Sequence, residues 1–307
     1  MTQVFNLDFS ALLERVSRRE LAVRAAKLSA AYRAGGTSAQ VADRMGALAY
    51  LVARYPATYA AAQAALRRTV EASPRFAPSS LLDVGAGPGT VAFAARATWP
   101  SLSAITLLEP NAVFRAVAEE LWPDARIAAG TLSGTLPSAD LVTAGYVLAE
   151  LDRAQIPQAA RDLWQAAQGM LILIEPGTPE GFARIRVARQ TLTLDGAHIA
   201  APCTHDQNCP MSGGDWCHFS ERLARSRDHM MAKSATVPFE DERYSYLAVS
   251  RAAVAHADAR IIKPPMEQKP AILFPLCDGS GLQVKAVPRR DKEQFRIARK
   301  KKWGDLF

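Results

Sequence analysis

The chain is poor in cysteine, with four in 307 residues, and it has no uncharged apolar run approaching the roughly 18 residues that a membrane-spanning helix needs. Its opening, MTQVFNLDFSALLERVSRRE, lacks a basic segment followed by an apolar core. A secretory signal is therefore not indicated, and a transit peptide has little support. These absences predict a cytoplasmic protein of bacterial type that engages no membrane. In a reducing compartment, clustered cysteines more often bind metal than pair as disulfides. No internal repeat is visible. With 49% apolar and 22% charged residues the chain is not a disordered one, and its length suits one or two domains around a real core.

What is present is unevenly placed charge. The net charge is +7, and KAVPRRDKEQFRIARKKK, residues 285–302, carries nine basic against two acidic residues, an excess equal to that of the whole chain. Such a run is either a solubilising tail or a set of phosphate contacts to RNA or DNA. It speaks for affinity and not for sequence specificity.

The first 75 residues read as helical, a lid or docking module. Val41, Met45, Leu48, Val52 and Tyr55 recur at steps of three and four, which predicts one apolar stripe on a helix begun near Thr37 and Ser38. Gly35 and Gly36 stop the helix before it, and Pro56 and Pro74 punctuate the stretch after it. From residue 79 the strand candidates SLLDVGAG, AITLLEP, ARIAAG, ADLVTAGYVL and GMLILIEPG alternate with helical stretches, one of them across 155–168. That alternation implies an α/β fold, a parallel sheet covered on both faces. It breaks down after residue 200 and resumes as YSYLAVSR. AILFPLC and LQVKAVP then flank the turn DGSG as an antiparallel hairpin.

LLDVGAGPGT sets Asp83, Gly85, Ala86, Gly87 and Gly89 between a strand and a helix, with Glu109 and Pro110 closing the next strand. Glycines let the backbone turn sharply and approach a ligand, and an acid placed like Glu109 can accept both hydroxyls of an adenosine ribose. The spacing is Gly-x-Gly-x-Gly, with Pro88 inside the loop, and not that of dinucleotide binders. It resembles the S-adenosylmethionine loop of class I methyltransferases; an NAD-type site and an ancestral loop without a ligand are the alternatives. By the same resemblance GTLSG, 130–134, falls where the adenine is contacted, and TAGYVLAEL, with Tyr146 and Glu150, where the methyl group is transferred. There is no Asn-Pro-Pro-Tyr or Asp-Pro-Pro-Tyr tetrapeptide and no Pro-Cys nucleophile. The catalytic residues are left unassigned.

Cys203, Cys209 and Cys217 lie within fifteen residues, and Cys277 stands apart. Four thiolates complete either a tetrahedral zinc site or an iron–sulfur cluster. The spacing matches neither the C-x2-C pairs of zinc ribbons nor the ferredoxin run. His205 and His218 are spare ligands or hydrogen-bonding supports.

PCTHDQNCPMSGGDWCHFSERLAR, VPFEDERYSYLAVSR, ARIIKPP and the terminal ARKKKWGDLF, in that order, resemble the methyltransferase-like proteins of small-ribosomal-subunit assembly, known from mitochondria and with bacterial relatives. The resemblance covers residues 80–307. It implies a class I methyltransferase (Rossmann-like) doubly wound sheet with an antiparallel C-terminal hairpin, a helical N-terminal module and a cysteine-rich metal-binding insertion. It implies S-adenosylmethionine as cofactor, at Asp83, Gly85, Ala86, Gly87, Gly89, Glu109, Pro110 and Tyr146. A [4Fe–4S] cluster on Cys203, Cys209, Cys217 and Cys277 follows from the mitochondrial members, with zinc as the alternative. The small subunit and its rRNA are the implied partners of a chain otherwise monomeric, with Arg296, Arg299, Lys300, Lys301 and Lys302 near phosphates and Trp303 free to stack or pack. The division expected is a helical module over 1–75, the cofactor core over 76–200 and the cysteine-rich insertion over 201–245. The end of the sheet with its hairpin comes next, over 246–288, then a basic tail over 289–307. An active small-molecule or protein methyltransferase with structural zinc is the competing function.

Overall fold

The computed structural model describes residues 10–14, 16–33, 38–132 and 134–307. Helices α1 (Ser10–Leu13), α2 (Arg18–Arg33), α3 (Arg44–Ala53) and α4 (Tyr55–Ala72) open the chain. The apolar stripe expected on one helix is divided between two. The Asp43 carboxylate accepts the Gly46 amide at 2.8 Å and caps α3, so Val41 lies ahead of the helix. Pro56 stands in the first turn of α4, where its missing N–H is not needed, so it starts a helix and does not interrupt one. The start expected near Thr37 and Ser38 is thereby corrected to Asp43; Ser38 belongs to a single 3-10 turn. Thr37 and the Gly35-Gly36 stop lie outside the described residues.

The main sheet is built from β1 (Ser80–Val84), α5 (Thr90–Thr98), β2 (Ala104–Leu108), α6 (Ala112–Leu121), β3 (Arg126–Ala128), β4 (Ala139–Gly145), α7 (Ile156–Ala166), β5 (Ala167–Pro176), α8 (Pro179–Leu194), β6 (His198–Ala201), β7 (Phe219–Ala224), α9 (Arg227–Ala232) and β8 (Phe239–Ser250). The strand order is β3-β2-β1-β4-β5-β8-β6, with β7 on β8. Strands β1 to β5 are parallel and β8 is antiparallel to β5. Because side chains alternate along a strand, Leu81, Leu141 and Ile172 pack on one face with α4, α5 and α6. Leu82, Val142 and Leu171 pack on the other with α7 and α8. This is a class I methyltransferase-like α/β fold with a mixed sheet.

A second, four-stranded sheet holds β9 (Arg260–Ile261), β10 (Met266–Glu267), β11 (Ala271–Asp278) and β12 (Gly281–Pro288), in the order β10-β11-β12 with β9 on β11. The expected hairpin is therefore real but does not finish the main sheet. It has its own core of Ile272, Phe274, Leu276 and Val287, closed by Ala298 of α10 (Lys292–Ala298) and by Phe307.

The basic segment 289–307, expected as a tail, forms α10 and a docked strap. Gly304 N–H donates to Ile261 O at 2.8 Å, Phe307 N–H donates to Ala259 O at 2.9 Å, and Leu306 bridges to Arg260. The Arg68 guanidinium reaches across from α4 to Trp303 O at 3.3 Å. No helix among the described residues is long and apolar enough to cross a membrane.

Candidate functional site

The carboxyl ends of β1 and β4 part at the point where the strand order reverses, and a cleft of about 1230 Å³ opens there. Gly85, Ala86, Gly87, Glu109 and Tyr146 line it; Asp83, Gly89 and Pro110 do not. Asp83 lies beneath the loop. It accepts the Thr143 hydroxyl at 2.7 Å and the Ala92 amide at 3.2 Å, tying β1 to β4 and to α5. Burial pushes its carboxyl up to about 7 against those two bonds. Gly89 is the N-cap of α5 at φ +85°, and a Cβ there would lie 2.2 Å from the Trp122 indole nitrogen. Gly87, at φ +55°, has no atom within 4 Å of where its Cβ would stand, so its open side is cleft.

Glu109 is almost fully buried, and its two carboxylate oxygens accept the amides of Gly87 at 2.7 Å and Asn111 at 2.8 Å. Burial raises its pKa while those amides oppose the rise. Its carboxylate thus fixes the loop from the side that faces the cleft. Arg115 secures the turn after β2 by donating to the carbonyls of Glu109 and Pro110 at 2.8 Å and 2.7 Å. Gly130 packs on Leu108 away from the cleft, and Ser133 of the GTLSG segment lies outside the described residues.

Tyr146 holds φ +65°, a left-handed conformation that a bulky residue adopts only under constraint. Its hydroxyl donates to Glu242 Oε1 at 3.3 Å. Burial, with the Glu242 carboxylate, raises its pKa well above the usual phenol value. Arg54 approaches the same carboxylate at 3.7 Å. Burial works most strongly against its charge, but Glu242, Tyr146, Tyr50 and Glu240 together outweigh it and the guanidinium pKa rises. Tyr50 and Arg54 bring the N-terminal helices into the cleft as its roof, and Glu242 and Arg243 bring β8. Periodicity gave no hint of these, because each sits on an element far from the loop in sequence. Glu175, in the IEPG that ends β5, is fully buried beneath Arg184, which stands 3.7 Å away. Burial pushes its carboxyl up to about 8. A lone acid at the end of the apolar run GMLILI was the available signal.

The four cysteines do come together. Cys203, Cys209, Cys217 and Cys277 line one apolar cavity of about 40 Å³ with Phe182, Met211 and Ile262. Three come from the segment between β6 and β7 and one from β11, so the set joins the insertion to the second sheet. Burial, followed by the charges of the neighbouring sulfurs, raises the thiol of Cys217 well above its usual value and that of Cys277 to about 12. Burial also raises that of Cys209. Among the described residues, no three His, Cys, Asp or Glu side chains are drawn tightly enough to hold a single ion.

Two arginines complete the wall. Arg260 is 1% exposed and Arg189 is 4% exposed, and among the described residues neither meets a carboxylate. Arg260 donates to Pro202 O at 2.9 Å and Gly304 O at 2.8 Å; Arg189 donates to His205 O at 3.2 Å and also to Gln207 O, leaving its Nε without an acceptor. A buried cation with no anion nearby is costly. Anionic sulfurs in this cavity would supply one, so the donor set fits a metal group bound through four thiolates. His218 stacks on Trp216 at 5.1 Å and meets the edge of Trp303 at 4.9 Å, so it packs away from the sulfurs, and Trp303 packs too. Of the five basic residues at the C-terminus, Arg296, Arg299, Lys300 and Lys302 are exposed; Lys301 donates to Leu306 O at 2.9 Å.

A family model described as mitochondrial small ribosomal subunit Rsm22 matches residues 44–307. The chain belongs to the Rsm22 family. The human ribosome assembly protein METTL17, mitochondrial, is 28% identical over 293 residues, covering 85% of this chain and 62% of that protein. The mitochondrial Rsm22-cox11 tandem protein 2 of Schizosaccharomyces pombe is 26% identical over 327 residues, covering 85% of this chain and 43% of that one. The chain thus spans 43% to 62% of the length of these relatives. These relatives are designated mitochondrial, which overturns the cytoplasmic location expected from the sequence.

Among solved structures, a putative RNA methyltransferase from Pyrococcus horikoshii is 13% identical with a TM-score of 0.42, covering 62% of this chain and 83% of that one. Magnesium protoporphyrin IX methyltransferase from Synechocystis, solved with bound SAM, is 13% identical with a TM-score of 0.43, covering 76% and 97%. The fold assignment rests on the strand order itself.

Proposed function

We propose that the chain is an S-adenosylmethionine-binding, methyltransferase-like factor in assembly of the small ribosomal subunit. It holds a [4Fe–4S] cluster on Cys203, Cys209, Cys217 and Cys277 and contacts rRNA through its basic C-terminal segment. The observation that carries the cofactor assignment is the open side of Gly87 in the cleft, beside the buried Glu109 that fixes the loop. Gly85, Ala86, Gly87, Glu109 and Tyr146 would hold the nucleoside, which when bound supplies an electrophilic methyl group. Asp83 holds the loop from below, and Tyr50 and Arg54 screen the cleft from water. Methyl transfer is not part of the proposal, since the chain carries no Asn-Pro-Pro-Tyr or Asp-Pro-Pro-Tyr tetrapeptide and no Pro-Cys nucleophile.

The four thiols and the two uncompensated arginines around them support the cluster. The names of the relatives support the ribosomal role. The exposed Arg296, Arg299, Lys300 and Lys302 support the RNA contact, with Lys301 turned inward. The test is anaerobic purification of the full chain, followed by iron and sulfide analysis, calorimetric titration with S-adenosylmethionine and binding to small-subunit rRNA at rising salt. Iron and sulfide in equal amounts, a one-site isotherm and a salt slope that falls by about 0.7–0.9 per phosphate contact when the exposed basic residues are replaced are expected. A colourless protein without iron refutes the cluster, an absent isotherm refutes the cofactor, and a salt-insensitive interaction refutes the phosphate contacts.

A further inference from the structure

The loop between Cys203 and Cys209 is held from both sides. On one side the buried Arg189 of α8 donates to the carbonyls of His205 and Gln207. On the other, the Asp206 carboxylate accepts the Ile199 amide at 2.7 Å, anchoring the loop to β6. Gly279, in the turn of the β11–β12 hairpin, lies alongside the His205 side chain, whose Cβ would stand 3.8 Å from a Cβ placed there. These restraints bury the His205 ring to 5% exposure and direct its Nε2 at Cys277 Sγ, 3.8 Å away on the other sheet. The other ring nitrogen, Nδ1, makes no hydrogen bond of ordinary geometry, although the Gln207 backbone lies close to the ring. The ring's side-chain polar contact is with the sulfur. A sulfur bound to metal carries no proton, so the nitrogen must be the donor.

We infer that His205 is a positioning residue that donates an Nε2–H···S hydrogen bond to Cys277 and thereby sets the reduction potential of the group the four thiolates hold. This rests on the four-thiolate cluster proposed above. Reduction adds negative charge to the cluster and its sulfurs, and a fixed N–H dipole aimed at one of them stabilises the reduced form more than the oxidised one. Cys203, Cys209 and Cys217 receive no such contact from a histidine among the described residues, so the effect is local to one corner of the set. Arg189 acts at one remove, holding the carbonyl of the residue whose ring makes the contact.

The experiment is a potentiometric titration of the anaerobically purified, iron-loaded full chain, followed by visible absorbance. It is repeated for His205→Ala and for His205→Gln, whose amide keeps an N–H donor. The expected result is a more negative midpoint for His205→Ala with the absorbance spectrum retained, and a midpoint restored toward wild type in His205→Gln. If His205→Ala loses its iron, a His205→Gln protein that keeps the cluster near the wild-type potential still supports the hydrogen bond. An unchanged midpoint in His205→Ala overturns the inference and leaves the cluster assignment standing. So does a His205→Gln protein that behaves as His205→Ala does. A wild-type protein without iron overturns the cluster assignment, and the inference with it, before any variant is made.

Discussion

Gly87 and Gly89, next-but-one neighbours in the loop, make a paired test of it. Both hold positive φ, +55° and +85°, so an alanine at either incurs the left-handed penalty of about 1 kcal/mol. The methyl groups then meet different surroundings. At Gly87 the Cβ has no protein atom within 4 Å, so the penalty stops there and the melting temperature falls by about 2 °C. At Gly89 the Cβ lies 2.2 Å and 2.9 Å from two atoms of the Trp122 indole and 3.1 Å from Leu107. That indole cannot retreat: it packs 3.9 Å from Phe93, lies 4.3 Å under the Arg96 guanidinium and donates to Pro88 O at 3.3 Å. Overpacking of this kind costs a further 1–3 kcal/mol or so, giving about 2–4 kcal/mol in all. Ligand affinity is expected in the opposite order. The Gly87→Ala methyl projects into the cleft and should weaken S-adenosylmethionine at least about tenfold, or ~1.4 kcal/mol. Gly89→Ala, which does not line the cleft, should bind nearly as wild type once folded. Thermal unfolding and calorimetric titration on the same samples decide it, and wild-type affinity in Gly87→Ala would remove the loop from the ligand site.

Arg68→Met should cost about 2–4 kcal/mol. It removes the donor to Tyr244 OH and to Trp303 O and the cation lying 5.0 Å over the Phe219 ring, so it should loosen the strap; tryptic cleavage among residues 299–302 no faster than in wild type would count against that docking. Glu175→Gln should alter the pH dependence of stability. A carboxyl raised from 4.5 to about 8 keeps its proton longer folded than unfolded, so the wild type is most stable below the lower value and loses stability as pH climbs to the upper one. The variant should therefore gain on wild type between about pH 5 and 8, by at most on the order of 5 kcal/mol, while Asp83 gives both proteins the same fall towards about 7. Parallel urea-midpoint curves for the two proteins would refute the reading that burial outweighs Arg184 at this acid.

The parallel core was legible because its signal is local. SLLDV, AITLL and MLILI are apolar runs that only a sheet covered on both faces buries, and the glycine loop comes directly after the first of them. The break between α3 and α4 was not legible from the stripe, because Val41 to Tyr55 keeps a helical period while the chain changes direction at Arg54. The Asp43 cap was present in the sequence as the stronger start signal. The second sheet was hidden for a different reason. A hairpin shows its own turn and alternation but not which sheet it joins, and AILFPLC pairs with LQVKAVP whether or not β8 lies beside it. Nor does charge count reveal docking: ARKKKWGDLF reads as a solvated tail until Arg68 and Arg260, far earlier in the chain, are seen to hold Trp303 and Gly304.

The cysteine cavity shows why four candidate ligands can be named from sequence while their electrostatic surroundings cannot. The four thiols are countable in the chain, but Arg189 sits in the middle of a helix and Arg260 on a two-residue strand, and nothing local distinguishes them from surface arginines. Their burial without a carboxylate is a property of the fold alone. Neutral thiols leave both guanidiniums uncompensated, and burial together with sulfur–sulfur repulsion raises the thiols of Cys209, Cys217 and Cys277, which favours their neutral form. Lone thiolates would suffer the same repulsion. Thiolates shared with a cationic metal group escape both penalties, because the metal offsets the repulsion among the sulfurs and the resulting anion faces the arginines. The two arginines therefore argue for a bound, net-negative thiolate group more strongly than cysteine spacing does. They also predict that replacing either arginine with an apolar residue weakens metal retention even though no ligand is removed; iron content equal to wild type in Arg189→Leu and Arg260→Leu would refute that reasoning.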